Sequence, residues 1–382
     1  MSRYFSYVNS ARDILLKYKG EQPFPAYIKQ FFAANKKYGS RDRKTISHLC
    51  YCFFRTGKAM PEAELTERII TGYFMCSTGP DDLLRQLKPE WCEYAGMTVP
   101  EKIEYLSFEP VFPWKEHLSD GVDFRKFNES FFVQPDLFLR MRPGREVSTR
   151  YKLTEAAIPF REVSPQALAL NNASKLEDVI NLDQDAVIQD LSSQETGFLL
   201  KNIRQTKKFH LWDCCAASGG KSIMAVDALG SLDLTVTDVR ESILANLNKR
   251  FARAGIKNYE SFVCDLAEEG VRETFPDADL VIADLPCTGS GTWGRNPEQL
   301  MFFDESKIKK YSLLQRRIIS NVVPHIAKGG TLVYITCSVF RMENEEMVSF
   351  LRKHFHLQLN EMRMMHGYER KSDTLFAASF TV

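Results

Sequence analysis

From about residue 197 to the end, apolar residues fall into short runs separated by stretches of helical period. Strand-like runs lie at 209–215, 232–238, 259–264, 279–284, 331–337 and 374–381, and helical stretches at 219–229, 241–254, 305–327 and 342–354. Strands and helices alternating at these lengths predict a parallel, doubly wound α/β sheet. The first 110 residues differ. Helical periodicity is found around 8–19, 23–34, 61–74, 80–94 and 99–107, and Ser40 can cap a further helix. In that helix Ile46, Leu49, Cys50 and Phe53 recur at i, i+3, i+4 and i+7, one buried face.

Between these regions the chain is irregular from Phe108 to Phe127, with Pro110 and Pro113, so residues 111–129 read as a linker. Residues 130–196 mix short strand-like and helical pieces and predict a small α+β module. Its Asp136–Arg142 segment alternates, which places Arg140 and Arg142 on one strand face. Pro143-Gly144 then turns the chain before Arg145. The predicted organisation is a helical domain over 1–110, the linker, the module over 130–196 and the α/β domain over 197–382.

Composition narrows the class. A net charge of +1 over 382 residues excludes a polycation, but the charge is unevenly spread. Residues 1–60 hold twelve Lys and Arg against three acids, a balance of +9, and residues 61–120 hold five bases against twelve acids. Arg41, Arg43 and Lys44 fall in the first turn of a helix, where the helix dipole disfavours cations. Charges kept there at a small cost are candidates for meeting phosphates, against the alternative of an ordinary solvated face. Nine cysteines with no CxxC pair disfavour disulfides and zinc, so no metal is expected and a cytoplasmic setting is. No apolar run is long enough to span a membrane, and the N-terminus shows no signal core.

The chemistry collects where predicted strands end. Val281–Asp284 is an apolar run that breaks at Asp284-Leu285-Pro286-Cys287 into a loop holding Gly289, Gly291 and Gly294. The run Gly330–Ser338 likewise ends in a cysteine, Cys337. Buried free cysteines are common, but two of them at strand exits share the edge at which open α/β sheets bind ligands. The first strand of the α/β region exits into Asp213-Cys-Cys-Ala-Ala-Ser-Gly-Gly-Lys-Ser222. Small residues there let a ligand approach the backbone, and the next helix offers free amides. A phosphate-binding loop would need glycine at Cys215, so an ATPase is disfavoured. The next three strands end at Asp238, Asp265 and Asp284. Asp238 lies about twenty residues past the glycine turn, where a carboxylate accepts hydrogen bonds from a ribose. A nucleoside cofactor without a pyrophosphate clamp fits this pattern, because GxGxxG is absent.

Together these residues resemble the RNA 5-methylcytosine methyltransferases of the Fmu/Sun/NOL family, most of all the bacterial ribosomal RNA enzymes. The resemblance is carried by Asp213–Lys221, Asp284-Leu-Pro-Cys287, Thr336-Cys337-Ser338 and Glu343-Asn344-Glu345. It is strong over the last half. Val187–Gln194 and Leu139–Arg142 resemble the family's module ahead of the catalytic domain, and the first hundred residues its NusB-type helical RNA-binding domain, more weakly. Three positions depart from the family pattern. Ser218 stands for the usual proline, Cys214 for a common leucine, and Thr374-Leu375-Phe376 for a glycine-aromatic pair.

The resemblance implies a Rossmann-like class I methyltransferase sheet, preceded by a NusB-like helical domain and a small α+β module. It implies S-adenosylmethionine as cofactor and RNA, ribosomal RNA first of all, as partner, with no metal and no membrane. By resemblance Cys337 is the nucleophile that adds to cytosine, Cys287 assists elimination and release, and Asp284 hydrogen-bonds the base. Cys215, Ala216, Ala217, Ser218, Gly219, Gly220 and Lys221 line the cofactor site with Asp284, while Asp238 takes the ribose and Asp265 the adenine end. One alternative is a non-catalytic RNA-binding assembly factor that keeps the fold. Another is a small-molecule or protein methyltransferase, which needs neither paired cysteines nor a basic N-terminal domain.

Overall fold

The computed structural model describes residues 3–201, 203, 209–268 and 275–382, which form two compact units. The first comprises residues 1–116, 123–134 and 292–304, and the second 117–122, 135–291 and 305–382.

The first unit is helical, with helices at Arg3–Lys17, Phe24–Ala34, Ser40–Arg55, Leu65–Cys76, Asp82–Leu87, Val99–Leu106 and Phe124–Ser130. Ile46, Leu49, Cys50 and Phe53 are all buried, as their spacing predicts. Ser40 is not the cap of its helix. Its backbone is already helical, and the capping position is Gly39, whose amide donates to the Asp42 carboxylate (3.0 Å). The predicted 80–94 helix is interrupted at Lys88, because Pro89 disfavours helical backbone in the residue before it, and resumes only as a short turn at Pro89–Trp91. Tyr18, Phe24 and Phe54 meet edge to face at the centre of the unit, with centroids 4.7–5.8 Å apart. Arg41, Arg43 and Lys44 are exposed.

The second unit contains two sheets. The smaller has strands β1 (Leu137–Met141), β2 (Phe160–Ser164), β3 (Ala167–Leu170) and β4 (Ala186–Ile188) in the antiparallel order β2-β3-β1-β4. A helix at Glu146–Glu155 covers it, and Leu139, Met141, Leu153 and Leu168 form its core. Arg140 and Arg142 do share a strand face, and both are used internally. Arg140 Nη1 and Arg142 Nη2 lie 2.6 and 2.7 Å from the carboxylate of Asp227, on the Gly220–Leu229 helix. This largely buried ion pair fixes the small sheet to the helix that follows the glycine turn.

The larger sheet has seven strands: β5 (His210–Asp213), β6 (Asp233–Asp238), β7 (Glu260–Val263), β8 (Ala278–Asp284), β9 (Ile326–Thr336), β10 (Gln358–Met365) and β11 (Leu375–Thr381). Their order is β10-β11-β9-β8-β5-β6-β7. Strands β5 to β9 pair in parallel, and β11 runs antiparallel to β9 and β10. Alternate residues of each strand point to opposite faces. Leu211, Val236, Ile282 and Val333 pack beneath Ile223, Leu244 and Leu247 on one side. Trp212, Val281, Leu332 and Tyr334 pack against Ile318, Ile319 and Met347 on the other. The α/β, doubly wound class is as expected, but the sheet is not wholly parallel. Strand β10 escapes the hydrophobic pattern because it is an exposed edge of sequence QLNEMRMM, and its hairpin with β11 reverses the last strand.

Candidate active site

Parallel pairing sets the edge at which the candidate residues meet. Asp284 is opposite Ile335 in the β8–β9 register, and Asp213 is opposite Ile282 in β5–β8, so β5, β8 and β9 end side by side. Asp238 ends β6 at the same edge. Side chains just past these ends converge with no long loop to position them.

The turn after β5 is shaped for close approach. The Ala216 amide bonds the Thr237 carbonyl (2.9 Å) and the Gly219 amide the Ala216 carbonyl (2.8 Å). Gly219 has φ +81°, and a side chain there would stand 2.6 Å from Phe251, so only glycine fits. Asp238 accepts from the Ala217 amide (3.1 Å), the Arg240 amide (2.9 Å) and Arg240 Nε (3.0 Å). Arg240 therefore sits on the carboxylate expected to take a ribose. Ser218 is held by Arg250, whose Nη1 lies 2.9 Å from both its hydroxyl and its carbonyl oxygen. Arg250 in turn pairs with buried Asp183 (2.8 Å). Asp213 lies beneath the turn and accepts from Ser222 (2.6 Å), while its other oxygen has no partner among the described residues. Burial pushes its carboxyl up to about 7. Asp265 is exposed, and its carboxylate accepts from the Ala267 amide of its own loop (2.9 Å).

Lys221, on the first turn of the next helix, reaches Asp284 Oδ2 (2.5 Å) and Ser193 Oγ (3.3 Å). Burial alone would lower the lysine pKa, but the Asp284 carboxylate outweighs it, with Cys337 adding to the net rise.

Cys287 and Cys337 face one another with sulfurs 3.3 Å apart, within hydrogen-bonding reach, and neither is in a disulfide. The Cys287 thiol is pushed well up by its hydrogen bond to Cys337 and then by burial.

Glu343 and Asn344 tie the two cysteine loops together. The buried Glu343 carboxylate accepts from the Thr288 amide (2.9 Å), the Thr288 hydroxyl (2.6 Å) and the Ser338 hydroxyl, which are the neighbours of Cys287 and Cys337. Asn344 Nδ2 donates to the Ser338 carbonyl (2.9 Å), and Thr336 donates to its Oδ1 (2.5 Å). The Gly291 amide adds a bond to the Cys337 carbonyl (2.9 Å). A side chain at Gly291 would come 1.9 Å from the Thr374 carbonyl oxygen, so glycine is required where these loops meet.

Of the residues singled out from sequence, Cys287 and Cys337 are in contact, as are Lys221 and Asp284, and Asp238 meets the 215–220 turn. Asp265 makes none of these contacts. Sequence reasoning gave no role to Asp213, Ser193, Arg240, Arg250, Glu343 or Asn344. Asp213, Ser193 and the Glu-Asn pair did leave a signal, as parts of quoted motifs; Arg240 and Arg250 left none.

Residues 200–377 match the family model described as 16S rRNA methyltransferase RsmB/F. Ribosomal RNA small subunit methyltransferase B of Photorhabdus laumondii is 29% identical over 197 residues, covering 50% of this chain and 44% of that protein. The probable ribosomal RNA small subunit methyltransferase B of Synechocystis is 28% identical over 235 residues, covering 59% and 51%. The chain thus spans about half the length of these curated relatives. Among solved structures, PH0851 superposes over 94% of both chains with a TM-score of 0.70 at 19% identity. NSun6 from Pyrococcus horikoshii, solved with SFG, covers 68% of this chain and 94% of its own, with a TM-score of 0.57 at 14% identity. At these identities the structural likeness is one of fold. The match to a ribosomal RNA methyltransferase family model thus falls on the half of the chain where the sequence motifs lie.

Proposed function

We propose that this chain methylates carbon 5 of a cytosine in RNA, ribosomal RNA by the names of its relatives, through a covalent adduct with Cys337. The observation that carries the proposal is the pair of thiols 3.3 Å apart at the ends of adjacent strands, beside the Lys221–Asp284 ion pair. A structural pair of cysteines has no need of an ion pair there.

The residues at the turn fit an adenosylated cofactor. Asp238 offers carboxylate oxygens to a diol, and Asp213 beneath the turn keeps a buried oxygen with no partner among the described residues. We assign S-adenosylmethionine to Cys215–Lys221, Asp238, Asp265 and Asp284; when bound, it supplies an electrophilic methyl group. The protein's own task is to make carbon 5 nucleophilic. Cys337, in contact with Cys287, adds its sulfur as a thiolate to carbon 6. Carbon 5 then has enamine character. Asp284, held by Lys221, hydrogen-bonds the amidine edge of the base and stabilises a proton that the ring nitrogen takes from solvent on addition and gives back on elimination. Once carbon 5 is methylated, its proton leaves to a base and the carbon 6–sulfur bond breaks with the electrons returning to Cys337. Cys287, as the adjacent thiol, assists that elimination. Neither carbon is reachable in a stacked duplex, so the target must be unpaired or flipped.

The helical unit with its basic first sixty residues is proposed as a NusB-like RNA-binding element, its exposed Arg41, Arg43 and Lys44 meeting phosphates. The proposed domains are those of the sequence pattern, residues 1–110, 130–196 and 197–382. The test of function is bisulfite sequencing of ribosomal RNA from cells with and without the gene. One or a few cytosines that resist conversion only when the gene is present support the proposal, and identical patterns contradict it.

A further inference from the structure

A groove of about 760 Å³ opens between the smaller sheet and β10, the edge of the larger one. Cys287, Cys337, Asp238 and Asp284 do not line it, so it is distinct from the catalytic edge. Arg363, on β10, lies over the ring of Phe198, with its guanidinium carbon 4.1 Å from the ring centroid; its side chain is half exposed, and its Nη2 pairs at the edge with Glu361 (3.0 Å), which leaves the outer face of the plane open. A guanidinium held on a ring in this way presents its other face to solvent, and nucleic-acid bases stack on such planes. Lys201 lines the same groove and has no ion-pair partner among the described residues. Of the three acids that line the groove, Asp227 is paired with Arg140 and Arg142, and Glu195 with Arg370 at 2.5 Å, while Glu369 lies beside Arg370. Arg140 is buried, and its Nη2 has no hydrogen-bond partner among the described residues. A buried donor left without an acceptor is a cost that an incoming oxygen removes.

We propose that this groove binds an unpaired nucleotide of the RNA strand that presents the target cytosine, which rests on the function proposed above. The base stacks on Arg363, the phosphate pairs with Lys201, and an acceptor oxygen meets Arg140. The groove is joined to the active site by a short run of side chains. Arg140 Nε donates to Gln189 (2.7 Å), Gln189 Nε2 to Ser193 (3.2 Å), and Lys221, the partner of Asp284, to the same Ser193 hydroxyl (3.3 Å). A nucleotide seated in the groove therefore lies on the other side of the Leu191–Glu195 helix from the reacting base. An acidic protein segment would use the same cations but not the stacking plane, so RNA is favoured.

The test measures the binding of a single-stranded, cytosine-containing oligoribonucleotide to the full chain and to Arg363→Glu, Lys201→Glu and Arg363→Lys, with S-adenosylmethionine binding measured in parallel. The two charge reversals are expected to weaken RNA binding roughly tenfold or more, as when one stacked base or one paired phosphate is given up. Arg363→Lys, which keeps the charge and loses the plane, should lie between them and wild type. Cofactor affinity should be unchanged in all three. RNA binding equal to wild type in all three overturns the groove, including in favour of a protein occupant, and Arg363→Lys equal to wild type overturns the stacking. Wild-type protein that binds the RNA but transfers no methyl group, with binding still weakened in the variants, counts against the proposed reaction and not against the groove.

Discussion

Glu343 accepts two hydrogen bonds from Thr288, at 2.9 Å from its amide and 2.6 Å from its hydroxyl, across 55 residues of sequence. Thr288 follows Cys287 directly, so this contact fixes one cysteine loop to the other. Glu343→Ala would leave the Thr288 amide, the Thr288 hydroxyl and the Ser338 hydroxyl buried without their acceptor. A loss of about 2–4 kcal/mol in unfolding free energy is expected, together with a fall in methyl transfer larger than the shortage of folded protein explains. Glu343→Gln should recover much of the stability. Denaturant unfolding and single-turnover rates check this, and equal behaviour of the two variants would contradict it.

Asp213 gives a pH signature. Burial raises its carboxyl from an ordinary 3.8 to about 7, so the folded state holds this proton more tightly than the unfolded chain. Stability from this group is complete below pH about 4 and declines as pH rises to about 7. Asp213→Asn should keep a partner for Ser222 and abolish that decline. The stability difference, wild type minus variant, should become less favourable across that window and level off above it. Parallel pH profiles would show that Asp213 is not the titrating group.

Asp238 bears on the cofactor. Replacing it with alanine removes the proposed ribose acceptor, and hydrogen bonds to a charged group contribute roughly 1.5–3 kcal/mol each. S-adenosylmethionine affinity should fall at least about tenfold, with the fold retained. Arg240→Ala should act in the opposite direction, since Arg240 Nε competes for the same carboxylate. Calorimetry checks both, and unchanged binding in Asp238→Ala would place the cofactor elsewhere.

Much of this was legible in the sequence, and what was missed has a common cause. The strand exits at Asp213, Asp238, Asp284 and Cys337 follow from local apolar runs and breaks, and parallel pairing then aligns them. The use of Arg140 and Arg142 was hidden, because their partner Asp227 is some 85 residues away and no periodicity records it. Arg250 on Ser218 and Asp183 is another long-range pairing of the same kind. Strand β10 was missed because an exposed edge carries no apolar signature. The 292–304 segment, read as part of the α/β domain, clusters with the helical unit, an arrangement that local pattern does not show.

RNA binding should depend strongly on salt if the basic helices meet phosphates. Charge reversal at Arg41, Arg43 and Lys44 should reduce the slope of log K against log salt by roughly 0.7–0.9 for each phosphate no longer neutralised. A flat response in wild-type protein would return these residues to an ordinary solvated face.

The cysteine pair bears on the central claim, because identical side chains are assigned different work. Cys337→Ala should abolish both methyl transfer and any covalent RNA adduct, since no thiolate can reach carbon 6. Cys287→Ala should still form the adduct and methylate, but release its product slowly. With S-adenosylmethionine present, it should accumulate as a complex with RNA that survives denaturation. A denaturing gel of each variant with substrate RNA is the most direct measurement. The account predicts a shifted band for Cys287→Ala and none for Cys337→Ala. The reverse pattern would exchange the two roles, and robust turnover by both variants would contradict covalent catalysis altogether.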